Sequence, residues 1–194
     1  MRNKTTGFIT KVGMLSAIAL ALMWLEIPLP LFPAFLRIDF SDVPALIGGF
    51  AMGPVAALVI ELIKNGLHFV LKNDGTGGIG NLANFIVGAA LVVPAAWYYV
   101  KHKNRKGAYI GMSFGVVSMI IAAVLMNWYV LIPLYGKLMG LEAVWGMAQE
   151  ANKNIVDIKS YIVMAIVPFN FIKALITCLI AAFAYKKLSP LLHK

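Results

Sequence analysis

Long apolar runs separated by short polar segments dominate the hydrophobic pattern of the chain. Four runs are clear candidate spans, at residues 8–27, 79–100, 107–131 and 159–185. Each is about as long as the helix of about 20 residues that crosses a hydrocarbon core of about 30 Å. The pattern therefore predicts an all-α integral membrane protein whose helices form one bundle.

A fifth apolar region, residues 41–71, is too long for one span and is interrupted near its middle. Gly53 and Pro54 lie at the interruption, and proline disfavours a continuous helix. We therefore predict two helices, a short one at 41–52 and a second at 54–71. A short helix at membrane depth must be covered by protein or line a cavity, because lipid cannot bond its free backbone groups.

The distribution of basic residues predicts the orientation of these spans. The chain has 194 residues and a formal net charge of +9. Lysine and arginine cluster near the N-terminus, in the loop 101–106 and near the C-terminus, for example at Arg2 and Lys194. Because positive charge beside spans marks the cytoplasmic side, both termini and this loop are predicted to be cytoplasmic. That orientation requires both helices of 41–71 to cross, which gives six spans.

Composition also narrows the class of function. The spans fill the chain, so residues 1–194 are predicted to be a single membrane-embedded domain, and nucleic-acid binding is disfavoured. Catalytic residues and a metal site are not expected, because the HExxH and GxSxG motifs are absent and Cys178 is the single cysteine. The glycine-rich loop 72–78 lacks the ending of a phosphate-binding loop. Energy for transport would come from ATPases on other chains or from an ion gradient, as in a secondary carrier.

Lys173 is the most informative polar residue, because it lies inside the last apolar run one helical turn after Asn170. An ammonium near mid-membrane costs about 2.5–3.5 kcal/mol, so it is expected to face a cavity, a partner or a ligand. An amide and an ammonium one turn apart supply several donors. They would suit a carbonyl-rich or anionic small molecule.

Further polar residues mark other faces of the predicted helices. Glu61, Lys64, Asn65 and His68 fall on one helical face, which cannot face lipid. This stripe is either a packed Glu61–Lys64 pair or the wall of a cavity. The neighbouring spans contain Asn81, Asn84 and Asn127. Each of these residues either has a structural role, such as hydrogen bonding between helices, or belongs to a binding site.

The loops offer fewer signals. The first loop, 28–40, is rich in proline and aromatic residues, and its Phe35 and Asp39 predict a lid over a cavity mouth. An ordinary connector, with Ser41 or Asp42 capping the next helix, is the alternative. The loop 132–158 mixes apolar and charged residues at helical spacing and is predicted to form a surface helix.

Four separated stretches resemble a known family. FLRIDFSDVPALIGGFAMGPVAALVIELIKN, NLANFIVG, NWYVLIPLYG and PFNFIK are similar to those of riboflavin-specific S components of energy-coupling factor (ECF) transporters. The similarity runs from the first span to the last. It implies a six-helix subunit of a bacterial cell membrane that captures riboflavin from outside. Such subunits associate with a membrane coupling protein and two cytoplasmic ATPases, and are thought to topple in the membrane to release the vitamin.

The resemblance also implies roles for individual residues. Asn127, Asn170 and Lys173 match family positions at the flavin, and we expect Asn84 to support them. Phe35 and Asp39 are weaker candidates for contacts from the lid. Riboflavin would be cargo, so no resident cofactor is expected, and flavin mononucleotide (FMN) or analogues stay open as ligands. An S component for another vitamin and an ion-driven carrier remain the alternatives.

Small residues on the first span suggest a docking surface. In the family they let the S component pack against its coupling partner, and Ala17 and Ala21 have the A-x-x-x-A spacing for this. Ala19 is expected to extend the same small face. Internal packing is an equal alternative, because alanine is common in membrane helices.

Overall fold

Helices make up most of the computed structural model, which describes residues 4–72 and 77–192, with side chains for 5–72 and 77–185. The predicted cytoplasmic position of the termini rests partly on residues outside the described part. These are Arg2, Lys194 and the side chains of Lys4, Lys186 and Lys187. Residues 73–76 of the glycine-rich loop lie outside it as well. The helices are α1 (Lys4–Met23), α2 (Asp42–Met52), α3 (Pro54–Leu71), α4 (Ile79–Lys101), α5 (Arg105–Met126), α6 (Ile132–Met139), α7 (Leu141–Ala151), α8 (Ile158–Tyr161) and α9 (Val167–Leu192).

Several of these elements join into longer units. A π-helical segment, Asn127–Leu131, connects α5 to α6, and a second, Ile162–Ile166, connects α8 to α9. Two short strands, β1 (Ile27–Pro28) and β2 (Arg37–Ile38), pair antiparallel and form a hairpin within the first loop.

Five helical stretches of the described chain are long and apolar enough to cross a membrane. They are Thr5–Met23, Pro54–Leu71, Ile79–Lys101, Arg105–Met139 and Ile158–Tyr185. The chain is therefore an all-α membrane protein, as the hydrophobic pattern predicts. Helix α2 has only 11 residues and is a shorter apolar helix.

The short helix α2 is enclosed by the rest of the bundle. All its residues from Asp42 to Phe50 are buried, and α1, α3, α4 and α9 surround it. Gly53 has a φ of 98°, a conformation that glycine adopts without strain, and Pro54 starts α3 directly after it. At Gly49 an added Cβ would lie 2.8 Å from the Cβ of Ala96, so only glycine allows α2 and α4 to approach this closely.

The helical path after residue 126 differs from the sequence prediction. The predicted fifth span ends at 131, whereas the helical unit continues to Met139. The physical reason is that Pro133 lies two residues after the π-helical segment Asn127–Leu131, where the regular α-helical hydrogen bonding is already interrupted, so its missing N–H does not end the helix. The predicted loop helix is present as α7, and Val144 and Ala148 bury it in a second core that includes Tyr161 and Ile166.

Helices α4 and α5 pack closely because two glycines of α5 face α4. A Cβ on Gly115 would lie 2.3 Å from the carbonyl oxygen of Leu91, and one on Gly111 would lie 2.7 Å from that of Ala95. Backbone atoms cannot rotate away as side chains do. The contact therefore requires glycine at both positions.

We predict that Gly115→Ala lowers stability, because the new methyl group forces α5 away from α4. The expected loss is about 1–3 kcal/mol, measured as a lower thermal unfolding midpoint in detergent. Gly66→Ala is the matched control, since nothing lies within 4 Å of an added Cβ at that position of α3. It should leave the midpoint unchanged or raise it, and equal losses in both variants would contradict the proposed packing.

Candidate functional site

A cavity of about 560 Å³ opens between the first loop and the ends of α3, α4, α6, α7 and α9. This volume lies within the range of sites for small organic ligands, about 300–1,000 Å³. The cavity borders the second core, because Ala123, Ile132, Val144 and Tyr161 line it and belong to that core.

The cavity has two chemically different walls. One wall comes from the first loop, α3, α4 and α9, and it carries the polar side chains Glu26, Arg37, Asp39, His68, Lys72, Asn81, Asn84 and Lys173. The other comes from the first loop, the α5–α6 unit, α7 and the α8–α9 unit. It carries two polar residues, Asn127 and Asn170, and the apolar and aromatic side chains Phe35, Leu36, Leu131, Ile132, Tyr135, Met139, Val144, Met147, Tyr161 and Phe169. A ligand that fits both walls combines a flat apolar part with a polar edge.

Lys173 lies in the polar wall with its ammonium already paired. Its Nζ donates to Asp39 Oδ2 at 2.9 Å and to Asn84 Oδ1 at 3.2 Å, and Asp42 Oδ2 lies 3.5 Å away. An ammonium has three N–H donors, and Asp39, Asn84 and Asp42 supply one oxygen for each of them. The buried cation predicted from sequence thus faces a cavity, and it is also neutralised by carboxylates.

Five side chains, hereafter the ion ring, form a closed circuit behind the cavity: Lys173, Asp39, Ser41, Lys64 and Asp42. The Ser41 hydroxyl donates to Asp39 Oδ1, Lys64 Nζ donates to Ser41 Oγ at 2.8 Å, and Lys64 also pairs with Asp42 Oδ1. Burial alone would raise the pKa of the Asp39 carboxyl, but attraction to the Lys173 and Lys64 ammonium groups holds it below its usual range. The ring joins the first loop and α2 to α3 and α9.

The predicted Glu61–Lys64 pair is present, with Lys64 Nζ 2.9 Å from Glu61 Oε1. Both side chains are fully buried, and neither lines the cavity, so this half of the stripe has a structural role. Gly88 makes room for it, since a Cβ there would lie 2.6 Å from Glu61 Oε2. Asn65 extends the polar contacts by accepting a 3.1 Å bond from Asn84 Nδ2.

Asn127 and Asn170 both line the cavity and are both fixed by their own helices. Asn127 Nδ2 donates to the Ala123 carbonyl and Asn170 Nδ2 to the Ile166 carbonyl, each at 2.9 Å. Asn127 is the first residue of one π-helical segment, and Ile166, to which Asn170 donates, is the last residue of the other. Such segments often occur at functional sites. One N–H of each amide is thus used to orient it, which leaves further hydrogen-bonding capacity for a ligand.

The first loop contributes side chains to the lining of the cavity. Phe35 is 42% exposed, lines the cavity and lies 6.3 Å from the Tyr161 ring between centroids. Glu26 ties the hairpin to α3, because it pairs with Arg37 at 3.4 Å and with Lys72 at the end of α3. These contacts hold the first loop beside the cavity, and its role as a lid stays a prediction.

Asp39 is buried, bonded to Lys173 and part of the cavity lining. Its contact with a ligand stays a prediction. One expectation about the first loop needs correction. The Ser41 side chain makes no capping bond to α2, because its hydroxyl is used by Asp39 and Lys64. Sequence reasoning missed Asp42 as a partner of both lysines. The sequence does contain a signal for it: Asp42 lies in the first turn of a short apolar helix, where its carboxylate is expected to be buried and to need a cation.

The predicted docking residues fall on two different faces of α1. Ala17 and Ala21 are exposed, as a surface for another protein requires. Ala19 is fully buried in the main core, because it lies two residues from each of them and so points inward. Ala19 is therefore a packing residue, and the expectation that it extends the small face is wrong.

We predict that Lys64→Met destabilises the protein by about 3–5 kcal/mol, because it leaves the buried Glu61 carboxylate without a cation and Asp42 with only its longer contact to Lys173. The unfolding midpoint in detergent measures this loss. The double variant Lys64→Met with Glu61→Gln should recover part of it, because it removes the carboxylate whose ion pair was with Lys64. Lys137→Met, at an exposed lysine of α6, is the control and should unfold like the wild type. A tolerated Lys64→Met alone would refute the ion ring.

Comparisons with known proteins agree on one family. Residues 8–185 match the family described as "ECF transporter, substrate-specific component". Riboflavin transporter RibU of Staphylococcus aureus is 34% identical over 183 residues, 94% of this chain and 90% of that protein. Riboflavin transporter FmnP of Bacillus subtilis is 34% identical over 92% of this chain and 90% of that protein.

One solved structure gives the same result for the fold. It is described as "Structure and mechanism of the S component of a bacterial ECF transporter". Its TM-score is 0.77 at 29% identity, and the match covers 98% of this chain and 100% of that one.

Proposed function

The chain belongs to the family of substrate-specific components of ECF transporters, and from this premise we propose that it binds riboflavin as its cargo. It is a multi-pass protein of a bacterial membrane, and its relatives are named as transporters, not as enzymes. The observation that carries the proposal is the cavity itself, which combines aromatic and aliphatic side chains with a buried ammonium and several amides.

The two walls match the two parts of a flavin. The isoalloxazine ring is flat and largely apolar, and Phe35, Tyr161 and Phe169 offer aromatic surfaces to cover it. Its pyrimidine edge carries two carbonyls and one N–H. Lys173 and the amides of Asn127 and Asn170 would bond this edge, with Asn84 holding the ammonium in place.

The charge of the polar wall favours a neutral ligand. Asp39 already neutralises Lys173, so an anion placed there would add a third negative charge close to Asp39 and Asp42. A ligand carbonyl has only to replace the longest contact of the ammonium, the 3.5 Å approach to Asp42. FMN carries its phosphate at the far end of the ribityl chain, away from the pyrimidine edge. The residues at the mouth of the cavity, and not the polar wall, would therefore decide whether FMN binds.

The proposal includes a direction and partners. Six spans, with α2 as a short one and both termini cytoplasmic, would place the first loop and the cavity mouth outside. Riboflavin would enter there and would be delivered inside together with a membrane coupling protein and two cytoplasmic ATPases. Ala17 and Ala21 would form the contact with the coupling protein. The flavin would leave the site after each cycle and would not act as a resident cofactor.

We predict that the purified protein is yellow, with a flavin absorbance spectrum. We also predict that Lys173→Met weakens riboflavin binding about 10- to 100-fold, because it removes a charged hydrogen bond to the ligand. Quenching of flavin fluorescence measures the affinity. Asn170→Leu tests the same edge without disturbing a buried charge and should lower the affinity about tenfold. Unchanged riboflavin affinity in both variants, with a normal unfolding midpoint, would reject this site.

We predict that Ala17→Leu with Ala21→Leu abolishes riboflavin uptake by cells and leaves riboflavin binding to the purified subunit intact. Bulky side chains on this exposed face keep helix backbones apart, which prevents close docking. Val117→Leu is the control, because Val117 is equally exposed to the membrane, but on α5. Normal uptake by the alanine variant would refute docking through α1.

A further inference from the structure

The connection between α4 and α5, residues 101–106, carries a dense group of cations and is hereafter the basic turn. Four of its six residues are basic, and all four are exposed: Lys101, Lys103, Arg105 and Lys106. Residues 75–141 include neither aspartate nor glutamate, so α4 and α5 offer these cations no carboxylate. The ion pairs within the part of the chain that the structure describes all lie elsewhere. The basic turn is therefore not neutralised by the described residues.

The backbone of the basic turn is fixed by its own hydrogen bonds. The Asn104 N–H donates to the His102 carbonyl at 2.7 Å, and the Asn104 side chain accepts from the Gly107 N–H at 2.7 Å. A Cβ on Gly107 would lie 2.0 Å from the His102 carbonyl oxygen, so the turn closes this tightly only with glycine. The His102 ring also stacks on Tyr98, with the ring centroids 4.4 Å apart. The basic side chains therefore project from a defined backbone.

The basic turn lies at a boundary of the membrane, because it joins two stretches that are each long and apolar enough to span, Ile79–Lys101 and Arg105–Met139. An exposed aromatic side chain lies one helical turn into each stretch, Trp97 on α4 and Tyr109 on α5. Tryptophan and tyrosine are enriched at the level of lipid headgroups. Lys101 Nζ lies 3.6 Å from the centre of the Trp97 ring, so this ammonium is held against the same surface.

The helices themselves do not favour cations at these positions. Arg105 and Lys106 lie in the first turn of α5, which has no acidic residue, and the helix dipole disfavours positive charge there. Like charges this close in sequence also repel one another. A bound anion would relieve both effects, and lipid phosphates are the anions at this depth.

We propose that the basic turn binds the phosphate group of an anionic phospholipid. Clusters of four or more basic residues directly beside a membrane span are typical of such binding. The Arg105 guanidinium can bond a phosphate through two parallel N–H groups, and Lys103 and Lys106 add positive charge. Trp97 would lie beside the glycerol and the upper part of the acyl chains. The basic turn is about 25 Å along α4 from Asn84 in the cavity, so the proposal does not depend on the cargo.

Native mass spectrometry of the full chain in detergent tests this proposal. The protein is titrated with an equal mixture of phosphatidylglycerol, which is anionic, and phosphatidylcholine, which is zwitterionic, both with the same acyl chains. The wild type should retain phosphatidylglycerol about tenfold more strongly than phosphatidylcholine. The triple variant Lys103→Gln, Arg105→Gln and Lys106→Gln should bind the two lipids within about twofold of each other.

The matched control removes the same number of cations at the end of the bundle that carries the cavity. Lys137, Lys153 and Lys159 are exposed there, and their combined replacement by glutamine should leave the preference for phosphatidylglycerol unchanged. The two triple variants have the same net charge, so a difference between them reports the place of the charges. Unfolding midpoints equal to that of the wild type verify that both variants are folded.

Four results would overturn the proposal. The first is a wild type without a preference for phosphatidylglycerol, and the second is an equal loss of preference in both triple variants. The third is displacement of the lipid by inorganic phosphate at an equal concentration, because the site would then bind a free anion. The fourth is an unchanged preference in the variant of the basic turn. If that variant also lost riboflavin uptake by cells, the basic turn would serve a protein partner.

Discussion

Buried charge is the constraint on which the rest of this structure depends. Two lysines and two aspartates lie inside a helical bundle that crosses a membrane, where an isolated charge is strongly unfavourable. They persist because the ion ring pairs each cation with carboxylates and bonds Ser41 between them. The ring joins three parts of the chain that are far apart in sequence. It also holds the Lys173 ammonium at the wall of the cavity, so stability and ligand binding share the same side chains.

Small residues make this arrangement possible. Helix α2 is too short to cross on its own, and it is stable because α1, α3, α4 and α9 enclose it. Gly49 and Gly88 let α4 approach α2 and the carboxylate of Glu61, at positions where a methyl group would clash. The same helix α4 then contributes Asn81 and Asn84 to the cavity. Gly88 shares one face of α4 with Asn81 and Asn84, so close packing at Gly88 also sets the position of the polar wall.

The sequence predicts the helical class, the short second helix and the burial of Lys173 well, because these follow from local hydropathy and from single residues such as Pro54. It does not predict the partners of Lys173, because Asp39 is 134 residues away and only the fold brings the two together. Helical periodicity identifies the face that carries Glu61, Lys64 and His68, but it cannot say that Lys64 points into the core while His68 reaches the cavity. Ala19 shows the same limit, since spacing alone does not reveal which face of α1 is buried.

The central claim is that the cavity beside the ion ring holds a flavin. An experimental structure of the purified protein with riboflavin tests it most directly. The account predicts the isoalloxazine ring between Phe35, Tyr161 and Phe169, with its pyrimidine edge within hydrogen-bonding distance of Lys173. A flavin bound elsewhere, or a cavity that stays empty while Lys173 keeps all three of its protein contacts, would contradict it.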